Sequence, residues 1–209
     1  MIKYKLTDQD GYTRRNQINE TLWETGKQIT AKGSGNELCT ADVIHYYDHP
    51  LLAVLMNPIH AGIQNTILWE IEIDKEVAHD GLKGGCKSAM PIKQIQLPII
   101  TINQKIGFGI LCALEVNNNI SFTTWANNWL SGKDRTRKCV IDVAYYDTAY
   151  YAAAYYAAYY AAAYYAANAA AAANAAADAN AAADANVRVT ITGIKIDFIK
   201  LALKAMEIK

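Results

Sequence analysis

The residue types best suited to chemistry lie close together between positions 39 and 60. Cys39, His45 and His49 bring a thiol and two imidazoles into a short span, with Asp48 between the histidines and His60 further on. Sulfur and imidazole are ligands that Zn²⁺ accepts, although this spacing matches no common zinc motif. The thiol and His45 could instead act as nucleophile and base. We favour a third interpretation, in which these side chains satisfy buried backbone groups of a tight turn and bind no metal.

A glycine-rich segment, Gly81–Cys86, offers a second kind of site. Backbone N–H groups of such a segment can surround a phosphate, with Lys83 or Lys87 as the counter-charge. The spacing matches no known phosphate-binding motif, so an ordinary hairpin turn is the competing interpretation. Together with the polar cluster, the segment suggests a site for a nucleotide-like small molecule. The candidate ligand-binding residues are His45, Tyr46, Asp48, His49 and Lys83.

The strands that would position these residues are predicted from hydrophobic alternation. Ile67–Asp74 alternates apolar and acidic residues, which predicts a strand with Trp69 and the isoleucines facing the core. Shorter apolar runs predict strands over Met1–Leu6 and Ile44–Tyr47, and extended chain over Ile92–Leu97. These strands occupy the first half of the chain.

Helices are predicted mainly from their start signals. Asp48-His49-Pro50 is typical of a helix start, and Asn57-Pro58 predicts that this helix ends there. Further helix starts are predicted at Thr101, Ser121 and Asp197. Because strands come early and helices late, the pattern predicts an α+β fold rather than alternating βαβ units.

The composition changes abruptly in the last third of the chain, where alanine dominates and tyrosines recur in pairs. Alanine is the strongest helix former, so the pattern predicts a long helix. Its tyrosines spiral around the axis and require a partner surface, which the tract can find by folding back as a hairpin or by meeting copies of itself; we favour self-association. We therefore predict an α+β domain over 1–140, an Ala/Tyr/Asn-rich helical segment over 141–186, and an extended piece with an amphipathic helix over 187–209. The predicted assembly residues are Tyr146, Tyr150, Tyr151, Tyr155, Tyr156, Tyr160 and Tyr164.

Charge and cysteine usage limit the classes of partner. Lysine plus arginine and aspartate plus glutamate are 20 each, so no net charge attracts nucleic acid or an anionic membrane. The basic run Lys133–Lys138 is the single feature that favours nucleic acid. The four cysteines contain no CxxC pair, and the polar start lacks a signal peptide, which indicates reduced thiols in the cytoplasm. We predict no membrane partner, no nucleic acid and no cofactor.

Several stretches resemble a family of uncharacterised proteins encoded by phages and prophages. The resemblance covers about two thirds of the chain, and members of that family also end in a variable tract of alanine, tyrosine and aspartate. It implies a phage or prophage origin and a location in the cytoplasm of a bacterial host cell, and it brings no known activity. The stretches that carry it are Leu38–His60, Leu68–Glu70, Gly81–Cys86, Cys112–Glu115 and Trp125–Arg135.

A weaker likeness is to the ADP-ribosyltransferase superfamily. There, a histidine-containing strand is followed by a helix and another strand. The likeness implies that His45 and Tyr46 stand for the nicotinamide-pocket residues, and Glu70 or Glu115 for the catalytic glutamate. The usual serine-threonine-serine strand is missing here, so the implied relative is a degenerate domain.

These observations favour binding over catalysis. The leading hypothesis is a non-enzymatic phage or prophage accessory protein that acts by binding and forms a homo-oligomer through its Ala/Tyr helix. The candidate partners are a host protein and a nucleotide-like ligand. The alternative is a protein that binds or sequesters a nucleotide-like small molecule.

Overall fold

Among the residues that the structure describes, short antiparallel strands and one helix come first along the chain, and three further helices follow. The computed structural model describes residues 1–17, 19–115, 120–135 and 196–209, and of Ile59 it describes the backbone alone. Within these residues the predicted α+β class is confirmed. The strands are β1 (Ile2–Thr7), β2 (Tyr12–Thr13), β3 (Thr21–Leu22), β4 (Ile29–Thr30), β5 (Ile44–Tyr46), β6 (Ile67–Ile73), β7 (Glu76–His79), β8 (Gly84–Cys86) and β9 (Ser88–Ile95). The helices are α1 (Pro50–His60), α2 (Ile102–Leu114), α3 (Ile120–Leu130) and α4 (Phe198–Ala205).

The chain divides into two units by the density of its internal contacts. The first comprises Met1–Asn57 and Ala61–Ile99, and the second comprises Pro58–His60 and Ile100–Lys209. All nine strands belong to the first unit, and α2, α3 and α4 belong to the second.

The main sheet of the first unit has the strand order β1-β6-β9-β4, with every pair antiparallel. The alternation predicted for β6 is confirmed, because Trp69, Ile71 and Ile73 are buried in the core while Glu72 is exposed. The core also contains Trp23 and residues of β5, β8 and β9. The indole nitrogen of Trp69 donates to Thr7 Oγ1 at 2.9 Å, so both buried polar groups are satisfied.

A second sheet has the order β5-β8-β7, and the remaining pair is β2-β3. Tyr4 and Tyr47 exchange backbone hydrogen bonds of 2.8 and 2.9 Å, which connect β1 to the chain just after β5. The prediction of a turn over Gly81–Cys86 is wrong for its last three residues, which form β8. Glycine fits this strand because a Cβ on Gly84 would overlap the ring of Tyr46, its partner on β5.

Helix α1 begins as predicted and continues further than predicted. Pro50 is its first residue, and Nδ1 of the capping residue, His49, accepts the N–H of Leu51. The predicted stop at Asn57-Pro58 is wrong. Pro58 sits in the last turn, where its missing N–H removes only one hydrogen bond. The Asn57 side chain then closes the helix by bonding both the N–H and the carbonyl of Ile63.

Three helices form the described part of the second unit. The predicted cap of α2 is confirmed as a capping box, in which Thr101 Oγ1 accepts the N–H of Gln104 and Gln104 Oε1 accepts the N–H of Thr101. Gln104 also donates to the carbonyl of Met206, which ties α2 to the end of α4. The predicted start of α4 is confirmed too, with Asp197 accepting the N–H of Lys200.

Replacing Thr101 by alanine is expected to destabilise the protein by about 1 kcal/mol, the usual cost of losing a helix N-cap. Thr101→Ser keeps the capping hydroxyl and is expected to stay close to wild type. Urea unfolding followed by circular dichroism measures both. Equal losses in the two variants would contradict a role for the hydroxyl.

The predicted helical segment 141–186 and its seven assembly tyrosines lie outside the described residues, as does most of the piece predicted to be extended before α4. The helix prediction therefore stays a prediction. Among the described helices, none combines the length and apolar character needed to cross a membrane.

Candidate functional site

Two lysines of β1 bring positive charge to one face of the main sheet. Lys3 and Lys5 lie two residues apart, so they share a face with their β6 partners Ile71 and Trp69. Lys5 Nζ donates to the carbonyl of His45 at 2.7 Å and lies 5.3 Å from the centre of the Trp23 ring. Lys3 pairs with the carboxylate of Asp48. Each lysine thus extends an apolar stem along the core and reaches a polar partner at its tip.

Lys5 forms part of the wall of a small cavity of about 70 Å³ in the first unit, which we call the anion cavity. No aspartate or glutamate is among the described residues that line it. Its cations are Lys5, Arg14 and Lys32, its neutral polar side chains are Thr13, Asn19, Thr21, Thr30, Thr40 and His45, and Trp23 and Ile44 contribute apolar surface.

The charges around the cavity affect the ionisation of Lys5. Burial lowers the pKa of Lys5 to about 8; the nearby Cys86 thiol opposes that shift, and the positive charges of Arg14 and Lys83 add to it. An anion in the cavity would stabilise the ammonium and raise this pKa again. The amine is therefore placed where anion binding and proton uptake are coupled.

His45 is the one predicted ligand-binding residue that lines the anion cavity. Tyr46 is fully buried, and its hydroxyl donates to Glu76 Oε2 at 2.7 Å. Burial, followed by that carboxylate, raises the pKa of Tyr46. His49 caps α1, and burial lowers its pKa, which favours the neutral ring that accepts the N–H of Leu51. Tyr46 and His49 therefore hold the fold together at these positions.

Asp48 lies in a different cluster from the one that the sequence suggested. Its carboxylate pairs with Lys3 and accepts a hydrogen bond from His79 Nε2 at 2.7 Å. His79 and then Lys3 lower the pKa of Asp48 to about 2 against the cost of burial. The pairing with Asp48 raises the pKa of His79. The N–H of Gly81 donates to His79 Nδ1 and opposes that rise, because a doubly protonated ring would lose this bond.

Lys83 faces a thiol. Its Nζ lies 3.1 Å from Cys39 Sγ, and its side chain is buried although Cys39 is exposed. The N–H of Cys39 donates to His45 Nε2 at 2.8 Å, so that lone pair cannot also take the proton of the thiol. The nucleophile–base pair suggested for Cys39 and His45 is therefore replaced by a contact between Cys39 and Lys83.

The two carboxylates implied by the ADP-ribosyltransferase likeness lie in different units. Glu70 is on β6 beside Lys93, at 3.6 Å, and Glu115 is exposed at the end of α2.

A groove of about 410 Å³ occurs in the second unit, between the ends of α2, α3 and α4. Arg135 lines it and donates to the carbonyls of Trp129 and Lys209. In the described residues, no three histidine, cysteine or acidic side chains form a metal-binding group.

The comparisons with known proteins add no relative. No protein-family model, curated protein or solved structure matches this chain.

Sequence reasoning missed Lys5, Arg14, Lys32 and His79. One signal was present for Lys5, because Lys3-Tyr4-Lys5-Leu6 places two lysines at a spacing of two on a predicted strand. Lysines on the core face of a strand are unusual and indicate a polar site at its edge. No comparable local signal marks Arg14, Lys32 or His79.

Proposed function

We propose that the first unit binds a small phosphate-bearing molecule, with the phosphate in the anion cavity. The observation that carries this proposal is a wall with three cations, several hydroxyl and amide groups and no carboxylate among the described residues. Lysine, arginine and threonine donors are the set that recognises an oxyanion. The proposal is one of binding rather than catalysis.

The size of the cavity selects the part of the ligand that enters. A volume of about 70 Å³ is several times the roughly 10–15 Å³ that a cavity needs to hold one water molecule. One phosphate group is of that order, whereas a whole nucleotide is several times larger. A nucleotide-like ligand would therefore leave its base and sugar outside, where the exposed Arg14 and Lys32 lie at the rim.

Local hydrogen bonding leaves donors for such a ligand. Trp23 Nε1 donates to Thr13 Oγ1 at 3.0 Å, so this hydroxyl keeps its own proton to donate. Lys5 spends one of its three N–H donors on the His45 carbonyl, which positions the ammonium and leaves further donors. The cavity is thus ordered by its own side chains before any ligand binds, which reduces the entropic cost of binding.

Titration of the full-length protein with inorganic phosphate by calorimetry tests this proposal. Lys5→Met keeps the apolar stem and removes the charge, and it is expected to weaken phosphate binding about tenfold or more, the value of a charge-assisted hydrogen bond. Binding is also expected to weaken as the pH rises above about 8, because the ligand-free protein then loses the proton of Lys5.

Lys93→Met is the matched control, because Lys93 is an exposed lysine on β9 beside Glu70 and does not line the cavity. It is expected to bind phosphate as wild type does. Equal affinities in Lys5→Met and wild type, or no phosphate binding by wild type, would refute the proposal.

We propose, second, that the Ala/Tyr tract mediates self-association, as expected for an accessory protein of phage or prophage origin that acts by binding. The support is compositional: paired tyrosines on an alanine-rich segment need a surface to cover them. The mass in solution of the full-length chain is expected to exceed that of one protomer. Replacing the seven assembly tyrosines by alanine is expected to return it to a monomer, and a monomeric wild type would refute the proposal.

A further inference from the structure

Cys39 differs from the other cysteines that the structure describes. It is exposed, whereas Cys86 and Cys112 are buried. Burial raises the pKa of Cys86 to about 12 and also raises that of Cys112, so both are held as unreactive thiols. Among the described cysteines, Cys39 is thus the accessible one.

The lysine behind Cys39 is the second observation. Lys83 has only 8% of its surface exposed, and a buried ammonium requires a counter-charge or several acceptors. None of the ion pairs between described residues includes Lys83. Its contact is Cys39 Sγ at 3.1 Å. Negative charge on that sulfur would be the partner that the buried ammonium lacks.

The backbone holds both groups in this arrangement. Asp80 Oδ1 accepts the N–H groups of Leu82 and Lys83, each at 2.9 Å, and so fixes the turn from which the lysine extends. On the other side, His45 Nε2 accepts the N–H of Cys39, whose φ of 65° is a left-handed conformation rare for cysteine. Hydrogen bonds thus fix both the turn that carries Lys83 and the loop from which the Cys39 thiol faces solvent.

We propose that Cys39 is a site of thiol–disulfide exchange with small-molecule disulfides, assisted by Lys83. The thiol releases its proton to solvent, and the thiolate sulfur attacks one sulfur of the disulfide. A new S–S bond forms to Cys39 as the original S–S bond breaks, and the departing thiolate carries away the electron pair. The sulfur of Cys39 is oxidised, and the released thiol is the reduced product. Lys83 stabilises the attacking thiolate.

The experiment uses the folded full-length protein and 5,5′-dithiobis(2-nitrobenzoate), which releases a coloured thiolate. Peptide mass spectrometry then identifies the modified residue, so reaction at Cys139 is distinguished from reaction at Cys39. Wild type is expected to show a fast phase of one equivalent that maps to Cys39, and Cys39→Ser is expected to lose that phase.

Lys83→Met is expected to slow the fast phase roughly tenfold, since a charge-assisted contact to the thiolate is lost. Lys83→Arg keeps the charge and is expected to restore most of the rate, which a purely structural role would not predict. Lys75→Met removes an exposed lysine between β6 and β7 and is the matched control. A fast phase that maps to another cysteine, or one unaffected in a folded Lys83→Met protein, would overturn the proposal.

Discussion

Replacing Gly84 by alanine is expected to destabilise the first unit by about 3 kcal/mol, the upper end of what an extra methyl group costs in a tightly packed position. The ring of Tyr46 lies across β8 at this glycine, and the Tyr46 hydroxyl donates to Glu76 on the far strand, β7. A Cβ on Gly84 would overlap the Cζ, Cε2 and hydroxyl atoms of that ring. Tyr46 is fully buried, so the ring has no free space to move into.

Urea unfolding of wild type and Gly84→Ala measures this loss. Gly26→Ala is the control, because Gly26 has a φ of +76° and no atom within 4 Å of an added Cβ. It reports the cost of backbone strain alone, about 1 kcal/mol. If the two variants lost equal stability, the overlap with Tyr46 would not be the cause.

Replacing Asp48 by asparagine is expected to cost about 2 kcal/mol near pH 5 and to alter the pH dependence of stability. The carboxylate has a pKa of about 2 in the folded protein against 3.8 in a free chain. Its stabilising contribution is therefore complete above about pH 4 and is lost as the pH falls through 2. His79 acts in the opposite direction, because its raised pKa contributes stability below 6.5 that is lost as the pH rises through the folded value.

The free energy of unfolding of wild type should accordingly be greatest between about pH 4 and about pH 6.5. It should decline at lower pH through Asp48 and at higher pH through His79. Asp48→Asn should flatten both declines and return the NMR titration of His79 toward the value of a free histidine. Glu72→Gln, at an exposed carboxylate of β6, should keep the wild-type profile. If the pH profile of Asp48→Asn ran parallel to that of wild type, the cluster of Asp48, Lys3 and His79 would not control the pH dependence of stability.

Features encoded by neighbouring residues were predictable from the sequence. The alternation over Ile67–Asp74 needs only a period of two, and the Thr101–Gln104 capping box needs a spacing of three. The end of α1 was mispredicted, because the Asn57 side chain outweighs the local effect of Pro58 by closing the helix on Ile63.

The composition of the site was less predictable, because its contacts join residues that are far apart in the chain. Asp48 meets Lys3 and His79 at sequence separations of 45 and 31 residues. Cys39 meets Lys83 at a separation of 44. Such contacts depend on strand order and register, which a single sequence does not specify. Grouping residues 39–49 by their proximity in sequence consequently joined side chains that the structure distributes over three places.

The position of Lys3 and Lys5 on β1 has a consequence for insertions and deletions. Adjacent residues of a strand point to opposite faces, so a slip of β1 by one residue against β6 would move both lysines to the other side of the sheet. The carbonyl of His45 and the carboxylate of Asp48 would lose their cations together. An insertion within Ile2–Thr7 should therefore be less tolerated than any single lysine substitution, because alignment of one strand maintains two charged contacts at once.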